Sequence, residues 1–76
     1  MATEDPWAMK ARGLLKAELK RREVSYGQLV ERLAAIGVAE TQASIANKIS
    51  RGAFTAAFLL QCLQAIGCRT VTLDVE

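Results

Sequence analysis

Apolar residues recur at three- and four-residue spacing through most of this chain, and that periodicity confines it to amphipathic helices packed on one face. In the first stretch they fall at Trp7, Ala11, Leu14, Leu15 and Leu19, while Arg12, Lys16 and Lys20 stack at i, i+4 intervals on another face. Pro6 suits the first turn of a helix, where its missing N–H is not needed. Trp7 is expected as the core anchor of this helix, with contact to a partner as the second reading. Glu18 falls on its apolar side and is expected to pair with Arg22, four residues on.

The punctuation between apolar runs sets the remaining elements. Ser25-Tyr26-Gly27-Gln28 has capping-box spacing, which starts a second helix at Tyr26. Leu29, Val30, Leu33, Ala34 and Ile36 form its apolar face, and Gly37 can supply the left-handed residue that stops it. Glu40 or Thr41 then caps a third helix built on Ile45, Ala46 and Ile49, closed by Gly52. Thr55 caps a fourth, the most apolar, with Phe58, Leu59, Cys62, Leu63 and Ile66 facing the core and Gly67 ending it. From Arg69 to Glu76 the period changes to two, with Val71, Leu73 and Val75 alternating against Thr70, Thr72 and Asp74. This pattern predicts a strand. Nothing else in the chain offers that strand a partner, so Val71, Leu73 and Val75 are expected at the seam of a homodimer, the alternative being a loosely packed end.

The fold expected is therefore all-α: a four-to-five-helix helix-turn-helix domain over residues 1–76, with a flexible N-terminus at 1–5 and a short C-terminal β-strand at 69–76 pairing across a dimer. Seventy-six residues suffice for one thin core and leave little room for a cleft between domains. With 51% apolar and 24% charged residues, the composition gives disorder no support. A net charge of +2 makes the placement of the cations matter more than their number. The chain has no histidine and two cysteines, too few ligands for a structural zinc, and Cys62 sits in an apolar run as reduced core filler. No metal, cofactor or small-molecule ligand is expected. No paired carboxylates, glycine-rich phosphate loop or activated nucleophile is visible, so the chain is not expected to be an enzyme. No apolar run is long enough to cross a bilayer, and a cytoplasmic location is expected.

The third helix carries the functional signal. With Ile45, Ala46 and Ile49 turned inward, its outward side presents Gln42, Ser44, Asn47, Lys48 and Arg51, and Thr41 to Gly52 contains no acid. Gln and Asn can pair bidentately with adenine, Lys and Arg can donate to guanine, and small residues let the backbone approach. The base-facing set is therefore Gln42, Ala43, Ser44, Asn47 and Lys48. Phosphate contacts fall to Thr41 and Arg51, and to Ser25, Tyr26 and Gln28 at the start of the second helix, where free N–H groups attract anions, with packing of the Tyr26 ring on the core an equal alternative. Arg12, Lys16 and Lys20 could add phosphate contacts or serve only as a solubilising face. The same outward residues on helix three also suit a plain solvated surface.

Leu29-Val30-Glu31-Arg32-Leu33, Gly37 and Ile45-Ala46-Asn47-Lys48-Ile49-Ser50-Arg51-Gly52 resemble the helix-turn-helix of the Cro/C1-type phage repressor family. The resemblance covers residues 25–67, with more residues between Leu33 and Ile45 than is usual there. It implies a compact helical domain that binds double-stranded DNA as a homodimer, the second motif helix lying in the major groove. A transcriptional regulator or a nucleoid-associated architectural protein would both fit. A protein-interaction module on the same scaffold, using its terminal strand, is the alternative. The whole chain is also similar to a group of short bacterial domains of unknown function, through Leu15-Lys16-Ala17-Glu18-Leu19 and Asn47-Lys48-Ile49-Ser50-Arg51-Gly52.

Overall fold

A computed structural model describes residues 5–73. Four helices follow one another: α1 (Pro6–Arg21), α2 (Tyr26–Ala35), α3 (Gln42–Arg51) and α4 (Ala56–Ala65). Each starts on a side-chain cap, with Asp5, Ser25, Thr41 and Thr55 accepting from backbone N–H groups of the first turn. At α2 the capping box is complete. The Gln28 N–H donates to Ser25 Oγ at 3.1 Å, and the Ser25 N–H donates to Gln28 Oε1 at 2.9 Å.

Three of the four helices stop in the same way. The N–H of Val24 reaches the carbonyl of Leu19, that of Val38 reaches Leu33, and that of Cys68 reaches Leu63, each at 2.9 Å. These are Schellman bonds, and in each the residue beyond the left-handed position is apolar and returns toward the core. Gly37 and Gly67 take the left-handed conformation in two of them, and Glu23 takes it in the third with φ 56°.

α1 and α2 both pack on α3 and α4. Leu15 and Leu19 of α1, Leu29 and Leu33 of α2, Ile45 and Ile49 of α3, and Phe58, Cys62 and Leu63 of α4 meet in one buried core. Glu18 is buried at the edge of this core with both oxygens engaged, one by Arg22 as the spacing implied and the other by Arg21 at 2.8 Å. Burial pushes its carboxyl pKa up, but the guanidinium charges of Arg21 and Arg22 and their hydrogen bonds outweigh that, and the net direction is down.

Three expectations are overturned. No strand occurs among the described residues, so the all-α reading stands without the C-terminal β-strand. Alternation gives a segment two faces, but a strand also needs a ladder partner, and none of the helices provides one. Thr70, Thr72 and Leu73 instead border a groove of about 740 Å³ against Leu14 and Glu18 of α1. Val71 and Leu73 are exposed and belong to no strand, and strand pairing through them is not supported. Val75, the third residue of that seam, lies outside the described residues, as does most of the 1–5 segment expected to be flexible. Trp7 is the second correction: it is 75% exposed and not a core anchor. It shares the phase of the apolar stripe but stands in the first turn of α1, two turns before Leu15, the first residue of that helix to be buried. Ile36 misses the core for a similar reason, because it is already the C-cap of α2.

Candidate nucleic-acid interface

α2 and α3 are joined by residues 36–41. The connection brings the N-termini of the two helices together, since a Cβ on Gly27 would lie 3.3 Å from Gln42 Oε1. Neither first turn contains an acid. Two helix ends with partial positive charge therefore sit side by side.

The expected phosphate contacts are mostly committed within the chain. Ser25 and Gln28 hold each other in the capping box, and Thr41 Oγ1 accepts from the Ser44 N–H at 3.1 Å. Tyr26 packs against the core while remaining half-buried. Arg51 differs. It is exposed in the last turn of α3 and has no ion-pair partner among the described residues.

On α3 the buried Ile45 and Ile49 turn the other side outward, as their spacing requires. Gln42, Ala43 and Asn47 are exposed, and Ser44 and Lys48 are half-buried. Ser44, Asn47, Lys48 and Arg51 come together with Ala53 around a shallow depression of about 300 Å³. Gln42 and Ala43 lie apart from it, in the first turn of the helix.

Glu40, offered by the sequence only as an alternative cap to Thr41, has a role that sequence reasoning missed. No acid falls within Thr41 to Gly52, but the carboxylate one residue earlier lies 2.7 Å from Lys48 Nζ. Only 12% of the Glu40 side chain is exposed, and its pKa is lowered by the hydrogen bond from Lys48, against the opposing effect of burial and with help from Ser44. The same ammonium stands 4.8 Å from the centre of the Phe58 ring. An eight-residue separation across a helix cap matches no i, i+3 or i, i+4 pattern, so nothing in the sequence signalled this pair.

The basic stripe of α1 is divided by the fold. Arg12 Nη1 donates to the Ser50 carbonyl at 2.7 Å, at the C-terminal end of α3 where a cation is favoured. Lys16 and Lys20 stay exposed. Cys62 is fully buried, and burial, with the Glu40 charge adding to it and Lys48 opposing it, pushes its thiol up to about 12. Among the described residues no cluster of His, Cys, Asp or Glu could hold a metal ion, and no helix is long and apolar enough to cross a membrane.

No curated protein and no solved structure matches the chain significantly. A family description does match, over residues 7–71, which takes in all of α2, α3 and α4, all but the first residue of α1, and the start of the C-terminal segment. The chain therefore belongs to the family described as a domain of unknown function, DUF6471.

Proposed function

We propose that the chain binds duplex DNA through α2, the connecting turn and α3, with α3 in the major groove, as a transcriptional regulator or an architectural protein of the chromosome. The observation that carries this reading is the exposed side of α3. It presents Gln42, Asn47 and Arg51 with Ser44 at their margin, free of acids, beside a second helix N-terminus that also lacks one. Amide and guanidinium groups at that spacing can read base edges, and the paired helix ends suit a phosphate. Two consecutive helices with adjacent N-termini support the helix-turn-helix resemblance, while their six-residue connection is longer than is usual in that motif.

A homodimer fits the same reading, since two half-sites require two copies of α3. The seam is proposed on α4 and not on the C-terminal segment. α4 contains no charged residue, and Leu60 on its outer side is 65% exposed. In a twofold contact each group near the axis meets its own equivalent, so a neutral face avoids placing like charges together.

Fluorescence anisotropy of the full chain against labelled duplex fragments, at low and physiological salt, tests the proposal. Saturable binding that weakens with salt is expected, and preference among fragments at the higher salt would indicate a regulator with defined sites. Absence of binding at both salts would overturn the reading. One observation, the exposed Trp7, would then favour a protein-interaction module, because a large aromatic left in water is a common anchor in protein interfaces.

A further inference from the structure

Lys48 has groove-compatible chemistry and lines the same depression as Asn47 and Arg51 with 40% of its side chain exposed, yet its ammonium is engaged within the chain. It points toward α4, with one donor on Glu40 at 2.7 Å and its charge over the buried Phe58 ring at 4.8 Å. α3 is seated on α1 and α2, and Glu40 belongs to the turn, Lys48 to α3 and Phe58 to α4, so this one cation supplies a link from α3 to the turn and to α4.

Moving Lys48 to a base edge would carry a cost beyond the lost contacts. It would leave the mostly buried Glu40 carboxylate without its cation, close to a helix that lies against a polyanion. With Lys48 held in place, the turn presents no net charge at that point, and α3 is tied to the turn and to α4 along the flank between its buried face and Arg51.

We propose that Lys48 is a positioning residue: the Glu40–Lys48–Phe58 clamp sets the roll of α3, and DNA is met by Gln42 and Asn47 at base edges and Arg51 at a phosphate, without Lys48. The second half of this proposal rests on the DNA reading above, and the first half does not.

Carboxyl NMR on the full chain tests the clamp without DNA. Glu40 titrates below the ordinary glutamate value in the wild type, returns toward that value in Lys48→Met, and falls again in the conservative Lys48→Arg. A merely space-filling lysine would not move this signal. Lys48→Met and Glu40→Gln each lower Tm by roughly 3–5 °C, and the double variant loses less than the sum.

Anisotropy against salt then separates the roles. The Glu40→Gln/Lys48→Met pair keeps the wild-type salt slope and fragment preference, whereas Arg51→Ala reduces the slope by about one. A double variant whose slope falls by about one would place the Lys48 ammonium on DNA and overturn the proposal. So would a wild-type Glu40 that titrates as an ordinary glutamate. If the wild type binds no duplex, the DNA reading fails, while the Glu40 titration and the Tm coupling still decide whether the clamp exists.

Discussion

At Gly52 the end of α3 touches the backbone of α1 so closely that no side chain fits. A Cβ there would lie 2.3 Å from the Ala8 carbonyl oxygen, and φ is 68°. Gly52→Ala should lose at least about 2 kcal/mol, the left-handed penalty plus the forced separation of two helices, measured by urea unfolding followed by circular dichroism. Glu23 is the reverse case: it holds a left-handed φ of 56° at a site where the equivalent stops of α2 and α4 use glycine. Glu23→Gly should gain roughly 0.5–1 kcal/mol, the relief of strain less the added freedom of the unfolded chain. The two cysteines should also separate in a labelling experiment. A neutral alkylating reagent under native conditions should modify half-buried Cys68 and spare Cys62, whose thiol is buried and pushed up to about 12, until the protein unfolds. Equal labelling of both would show that the core opens readily around α4.

The helices show why some of the structure was legible in the sequence and some was not. Starts at Ser25, Thr41 and Thr55, and stops at Gly37, Gly52 and Gly67, are local chemistry, set by residues within one turn of the boundary. The stop of α1 carried no such mark, because Glu23 does there what glycine does elsewhere. Trp7 and Ile36 show the limit of periodicity, which gives the phase of a residue but not whether the core extends as far as that residue. Residues 69–73 show another limit, since alternation cannot supply a ladder partner. Of the candidate site, the residue types on the face of α3 were legible. The commitment of Lys48 to Glu40 was not, because it depends on how the turn folds back.

The two buried-edge glutamates also set an acid limit to stability. Glu18 and Glu40 both have pKa values lowered from the ordinary 4.5. Their unfolded forms therefore take up protons first as pH falls, so their stabilising contribution is complete above about 4.5 and is lost through the lowered values below it. Glu18→Gln with Glu40→Gln should be less stable than the wild type at neutral pH and show a flatter decline of Tm between pH 5 and 2. Parallel acid limbs in the two proteins would mean that other carboxylates govern the transition.

For the molecule as a whole, the distribution of charge divides the surface. α1, α2 and α3 carry charged residues, and α4 carries none. If α4 forms the seam between two copies, Leu60→Glu should shift sedimentation toward the monomer with helix content unchanged, and weaken DNA binding by removing the second half-site contact. A variant that still sediments as the wild type does would move the seam elsewhere. The close approach at Gly52 has a practical consequence. Ala8, which Gly52 touches, follows the single tryptophan of the chain. Because backbone meets backbone there, with no flexible side chain to absorb a displacement, a change in the seating of α3 should reach the first turn of α1. The indole of Trp7, exposed with Lys10 Nζ 5.9 Å from its ring centre, should then act as an optical gauge for events on α3, and an emission spectrum that does not move on DNA binding would show that the displacement stops at Ala8.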